Sequence, residues 1–178
     1  TNPGPSVDWG FTKVNAENTM TALPGAEFTL YQLTCTNTEA DHTHDELASA
    51  DSACWTVYEV QTSAEETGEV TFSALPAGTY MLVETKAPDG FVKPAGQWKL
   101  TVDPEAQEPV VIESVGDTLP PAFMTEADGS LKLPNIAILI PPMTGGIGTY
   151  LFAAGGSALL IGAAGLLLAF RKRKLGRA

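Results

Sequence analysis

A run of 24 uncharged, largely apolar residues, 147–170, limits the fold of this chain more than any other feature. An unbroken set of Arg and Lys residues, 171–174, follows it directly. As an α-helix, the run would be about 36 Å long, whereas the hydrocarbon core of a bilayer is about 30 Å thick. The sequence therefore predicts a transmembrane helix at 147–170, a cytoplasmic basic tail at 171–178, and an extracellular body before them.

The charges of the chain are divided between these parts. Residues 1–170 contain five basic groups against 21 acidic ones, a net charge of −16, and the other five cations lie in the last eight positions. Nucleic-acid binding through a broad basic surface requires clustered cations, so we expect no nucleic-acid partner. Residues 1–5 show no secretory signal, so we expect the chain to begin after signal cleavage or to be part of a longer protein.

The extracellular body shows the alternation of apolar and polar residues that is typical of β-strands. After a linker at 1–6, residues 7–138 are predicted to form one all-β domain, with short strands separated by Pro and Gly turns. The predicted strands are 9–14, 26–33, 55–61, 69–73, 78–85, 97–102, 110–115 and 131–138. Evenly spaced short strands indicate an immunoglobulin-like β-sandwich.

A short motif precedes the apolar run, within the linker 139–146. It consists of Pro141, Pro142, Met143, Thr144 and Gly145. Motif, apolar span and basic tail together resemble the cell-wall sorting signal of Gram-positive surface proteins, whose motif is LPxTG. Here Pro141 stands where that family has Leu. The resemblance implies that a sortase cleaves between Thr144 and Gly145 and joins Thr144 to peptidoglycan or to another pilin subunit. An uncleaved single-pass membrane protein is the alternative.

Three segments of the body carry a second resemblance. Residues 11–14 (FTKV) and 23–31 (LPGAEFTLY) resemble the opening of a Cna B-type, or SpaA-type pilin, domain. Residues 80–91 (YMLVETKAPDGF) are similar to the pilin E-box, YxLxETxAPxGY, and match seven of its eight fixed positions. The resemblance implies a Cna B-type β-sandwich with a structural, non-enzymatic role in a pilus or at the cell surface.

This family forms an intramolecular isopeptide bond between a Lys on the first strand and an Asn or Asp on the last. The resemblance assigns the nucleophile to Lys13, the assisting carboxyl to Glu84 and the acceptor to Asn135, with Asp128 or Asp117 as alternative acceptors. The reaction takes place once per molecule, so it does not make the protein an enzyme. Strand alternation puts each of the three residues on the same face as a large apolar residue two positions before it, namely Phe11, Leu82 and Leu133.

The two cysteines, Cys35 and Cys54, flank a polar insertion, 36–53. In an extracellular domain they are expected to form a disulfide, with two free thiols as the alternative. The insertion contains His42 and His44 among carboxylates, which we interpret as a solvated loop and not as a metal site. No cofactor is predicted. As an alternative function, the protein could be an adhesin that binds a host or matrix ligand through 36–53.

Overall fold

A computed structural model describes residues 4–35, 44, 47 and 54–139 of the chain, and these residues are dominated by β-strands. The strands are β1 (Ser6–Asn15), β2 (Glu27–Leu33), β3 (Trp55–Thr62), β4 (Glu69–Pro76), β5 (Gly78–Lys86), β6 (Gln97–Val102), β7 (Val110–Val115), β8 (Met124–Thr125) and β9 (Leu131–Asn135). Within the part of the chain that is described, no helix is long and apolar enough to cross a membrane. The predicted span at 147–170 and tail at 171–178 lie outside the described residues.

The strands form two sheets that pack face to face. One sheet has the order β4-β1-β9-β8, and the other has the order β3-β2-β5-β6-β7. Side chains from both sheets meet in one apolar core, where the ring centroids of Phe11 on β1 and Phe28 on β2 lie 5.0 Å apart. The predicted all-β sandwich is therefore confirmed.

All eight predicted strands are present, but the end of the domain differs from the prediction. The structure adds β8, whose two residues are too few to show a periodic pattern. The predicted last strand, 131–138, was too long, because β9 ends at Asn135. The next residues leave the sheet and pair with the end of the E-box, through a bridge between Ala137 and Phe91.

The first and last strands lie side by side and run parallel. In this pairing Lys13 is opposite Leu133, and Val14 is opposite Pro134. Proline lacks an N–H group and is disfavoured at central strand positions. Pro134 is accommodated because β8 pairs with β9 only at Leu131 and Lys132, which leaves β1 as the single neighbour of β9 at Pro134.

Gly68, just before β4, allows the backbone to approach β1 closely at Lys13. The Gly68 carbonyl accepts a hydrogen bond of 2.8 Å from the Lys13 N–H, and the Lys13 carbonyl accepts one of 2.8 Å from the Leu23 N–H. A Cβ atom at Gly68 would lie 2.8 Å from the Lys13 carbonyl oxygen, and the φ angle of Gly68 is +67°. Both observations indicate that a side chain at position 68 would displace the backbone of Lys13.

We expect Gly68→Ala to destabilise the domain more than Gly129→Ala. Gly129 has a similar φ of +85° with open space around its Cβ position, so its substitution measures the backbone strain alone. That strain is about 1–2 kcal/mol, and the clash at position 68 should add about 1–3 kcal/mol to it. Urea unfolding of both variants gives the difference. Equal destabilisation would contradict a steric role for Gly68.

Candidate functional site

The three residues that the resemblance assigned to an isopeptide bond meet in the core. Lys13 Nζ lies 2.8 Å from Glu84 Oε2 and donates a hydrogen bond to it. Asn135 Nδ2 donates a hydrogen bond of 2.9 Å to the other carboxylate oxygen, Oε1. The Glu84 carboxyl group thus bridges the amine and the amide, with one oxygen directed at each.

The positions of the three residues follow from the sheet topology. Lys13 and Asn135 lie on the adjacent parallel strands β1 and β9, two register positions apart, so they share one face of their sheet. Glu84 lies on β5, which is central in the opposite sheet, and its register partner on β2 is Phe28. The facing sheets therefore bring together side chains that are 51 and 71 positions apart in the sequence.

Burial of this trio is nearly complete. The exposed fractions of Lys13, Glu84 and Asn135 are 0%, 1% and 2%. Lys13 Nζ also lies 5.4 Å from the centroid of the Phe28 ring, close enough for a cation–π contact when the amine is protonated. The sequence alone does not predict this position of Phe28, because a strand phenylalanine gives no signal that separates it from other core aromatics.

Burial changes the protonation of the pair. Desolvation lowers the pKa of Lys13, and the nearby Glu84 carboxylate opposes this shift. Desolvation also raises the pKa of Glu84, against the opposing effects of Lys13, of the Asn135 hydrogen bond and of the more distant Lys93. Both shifts favour the neutral forms, an amine and a carboxylic acid, because the loss of hydration penalises the charged forms.

The two alternative acceptors lie elsewhere in the described structure. Asp128 is exposed in a turn, where its carboxylate accepts hydrogen bonds from the backbone N–H and the hydroxyl of Ser130. These bonds lower the pKa of Asp128. Asp117 is also exposed. Among the three acceptor candidates, only Asn135 has a hydrogen bond to Glu84 in the described structure.

Cys35 and Cys54 form a disulfide, which connects the end of β2 to the start of β3. The two sulfur atoms and a ring nitrogen of His44 all lie within 4.8 Å of one another. Cysteine binds metals as the thiolate, so this group does not present a thiolate metal site while the disulfide is intact. The sequence predicts His44 only as part of a solvated loop, and its position beside the disulfide leaves no local pattern.

Two other predicted sites fall largely or wholly on residues that are not described. Within the insertion 36–53, only His44 and Leu47 are described, and the Leu47 N–H donates a hydrogen bond of 3.0 Å to Gln97 Oε1. The adhesin hypothesis for this loop stays a prediction. The motif of Pro141, Pro142, Met143, Thr144 and Gly145 lies outside the described residues, as does its predicted cleavage site.

Comparison with known proteins agrees with this fold and with the C-terminal motif. Residues 8–118 match the family model described as the SpaA prealbumin-like fold domain, and residues 142–174 match the LPXTG cell wall anchor motif. A protein named fimbrial subunit type 2, from Actinomyces naeslundii, is 34% identical over 123 residues. That alignment covers 66% of this chain but only 20% of the relative, so the chain spans about a fifth of that protein's length.

A solved structure supports the fold. The C-terminal fragment of the pilus adhesin SpaC from Lactobacillus rhamnosus GG superposes with a TM-score of 0.50 at 24% sequence identity. The superposition covers 78% of this chain and 48% of the fragment. At this level of identity, the likeness concerns the fold alone.

The fold and the C-terminal motif define a β-domain displayed on a Gram-positive cell surface. The chain belongs to the family of SpaA prealbumin-like fold domains, a family of structural pilin subunits and not of enzymes. Its LPXTG-type motif places it at the cell wall after sortase processing.

We expect the double variant Cys35→Ser/Cys54→Ser to be less stable than the wild-type chain. Loss of a disulfide that spans 19 positions should lower the free energy of unfolding by about 3 kcal/mol, because the unfolded chain gains conformational freedom. Urea unfolding measures the loss. Addition of a reductant should destabilise the wild type to the same extent and leave the variant unchanged, whereas equal stability of variant and oxidised wild type would contradict the prediction.

Proposed function

We propose that the chain is a sortase-anchored pilin subunit whose β-domain is closed by an isopeptide bond between Lys13 and Asn135. The observation that carries the proposal is the Glu84 carboxyl group, which lies within hydrogen-bond distance of both reacting side chains. The match to pilin-type domains and the identity with a fimbrial subunit support the structural role.

The geometry supports a direct amide exchange. The neutral Lys13 amine attacks the Asn135 side-chain carbonyl carbon, and its nitrogen forms the new amide bond. Glu84 takes a proton from this nitrogen and supplies one to Asn135 Nδ2, which leaves as ammonia. The buried core holds both groups against the Glu84 carboxyl group and excludes water, so the reaction proceeds as an intramolecular step with a high effective concentration.

Glu84 is suited to carry the proton because each of its oxygens faces one reacting group. Oε2 accepts from Lys13 Nζ at 2.8 Å, and Oε1 accepts from Asn135 Nδ2 at 2.9 Å. A carboxyl group with a raised pKa can hold a proton at one oxygen and accept another at the other. The Glu84 carboxyl group therefore contacts both the nitrogen that would form the new amide and the nitrogen that would leave as ammonia.

We expect the intact mass of the full chain, purified in detergent and fully reduced, to be lower than the sequence mass by one ammonia. Glu84→Gln keeps the size of the side chain but cannot transfer a proton, so this variant should show no mass loss. Lys13→Met removes the nucleophile and should give the same result. Mass spectrometry of the reduced chain avoids any contribution from the disulfide.

The matched controls for this experiment are Lys132→Met and Glu126→Gln. Lys132 lies on β9 and Glu126 directly follows β8, and their side chains form a partly exposed ion pair of 3.1 Å outside the buried trio. Both control variants should keep the loss of ammonia. An unshifted wild-type mass would refute the Lys13–Asn135 bond, and loss of water in place of ammonia would indicate an Asp acceptor.

We expect Thr144→Ala to retain the chain in the membrane fraction, because the substitution removes the threonine side chain that the LPXTG-type motif has at the cleaved position. The matched control is Met143→Ala, which changes the variable position of the motif and should leave wall attachment intact. Fractionation of cells into wall and membrane material measures the outcome. Wall attachment of the Thr144→Ala chain would contradict the proposed cleavage site, and retention of the wild-type chain in the membrane would favour an uncleaved membrane protein.

A further inference from the structure

An apolar groove of about 520 Å³ lies beside the point where the chain leaves the β-domain. Four parts of the chain line it: Ala16 just after β1, the connection from β5 to β6, the connection from β7 to β8, and residues 134–136 at the end of β9. Its main lining residues are Val92, Lys93, Pro94, Leu119, Pro134 and Ile136. We call this surface the exit groove.

The walls of the exit groove are held in place by close packing. The Trp98 indole N–H donates a hydrogen bond of 2.9 Å to the Pro121 carbonyl, which fixes the β7–β8 connection to the core. An added Cβ atom at Gly96 would collide with Pro120 and with the Thr118 carbonyl, so the absence of a side chain at position 96 lets the two connections approach each other. The groove is therefore a formed feature of the domain.

Large apolar side chains are exposed in and around the exit groove. The exposed fractions of Leu119, Ile136 and Val92 are 66%, 59% and 48%. The chain has 21 acidic residues, yet none lines the groove, and Lys93 is the one charged residue among its described lining. A clustered apolar surface without carboxylates, on an otherwise acidic domain, is typical of a docking site.

The exit groove lies beside the last described residues of the domain, which directly precede the sorting motif in the sequence. The Val92 N–H donates to the Ile136 carbonyl at 2.9 Å, and the Ile138 N–H donates to the Gly90 carbonyl at 2.8 Å. These bonds hold the backbone to the domain as far as Ile138, so only two residues separate the domain from Pro141. Two fully extended residues span about 7 Å, and six span about 20 Å. Thr144 is six positions after Ile138, so the two residues can be at most about 20 Å apart.

An enzyme that acts at Thr144 therefore works within about 20 Å of the last hydrogen-bonded residue of the domain. A domain of about 100 residues has a radius of gyration of about 13 Å, so a sortase bound at 141–145 is larger than the gap that the linker can open. We propose that the exit groove is a docking surface for that sortase, an inference that rests on the proposed cleavage at Thr144. The groove is concave, which suits an apolar ridge of a protein better than the flat surface of a bilayer. Lys93 at its edge suits a carboxylate beside that ridge.

A pulse-chase experiment in the source organism tests the proposal. It measures the rate at which the full-length precursor is converted to the wall-linked form. We expect Leu119→Ser/Ile136→Ser to slow conversion about fivefold or more, the effect expected when interface residues are truncated. The matched control is Val57→Ser/Val111→Ser, which changes two similarly exposed valines on β3 and β7. Conversion of the groove variant at the wild-type rate, or equal slowing in the control, overturns the proposal.

A photoreactive amino acid at position 119 identifies the occupant directly. In the full-length Thr144→Ala precursor, we expect a crosslink to the sortase, identified by mass spectrometry, and none from the same group at position 111. A crosslink to lipid, or no sortase crosslink, overturns the docking proposal. The cleavage site and the docking surface are refuted by different results. Wall attachment of the Thr144→Ala chain refutes the cleavage site. If Thr144→Ala stays in the membrane but the groove variant is converted at the wild-type rate, only the docking surface is refuted.

Discussion

An amine and a carboxyl group that are buried in an apolar core must form a hydrogen bond with each other, and the rest of the structure depends on this constraint. Lys13 and Glu84 are both fully buried, and each is the main polar partner of the other. Removal of one member of such a pair leaves an uncompensated polar group that costs several kcal/mol. The pair therefore fixes the relative position of the two sheets at this point, because β1 carries the amine and β5 carries the carboxyl group.

The E-box, residues 80–91, links this core to the way the chain leaves the domain. Its first half is strand β5 and presents Tyr80, Leu82 and Glu84 to the interior. Its second half turns at Gly90, whose φ is +84°, and pairs with the residues that follow β9. One short segment thus carries the reactive carboxyl group and also binds the backbone that leaves the domain, which gives a physical reason for these residue types to occur together.

Much of the fold and of the candidate site could be predicted from the sequence. The alternation of apolar and polar residues predicted eight of the strands. Lys and Glu are rarely buried, so the strand pattern alone does not indicate Glu84, and the match of residues 80–91 to the E-box identified it. The departures arose where pairing depends on distant segments. Ile136 and Ile138 continue the apolar pattern of a strand, but their backbone partners lie in the turn at Gly90. The two residues of β8, and the approach of His44 to the disulfide, likewise depend on contacts that leave no local pattern.

The parallel pairing of β1 and β9 determines how the domain responds to tension. A force applied between the start of β1 and the chain beyond Ile138 pulls these strands along their length, so their ladder hydrogen bonds are loaded together and do not open one by one. With a covalent bond between Lys13 and Asn135, the same force would pass directly from one strand to the other. Residues 14–134 would then be bypassed by the covalent path, whereas Ile136 in the exit groove lies between the new bond and the pulled end of the chain.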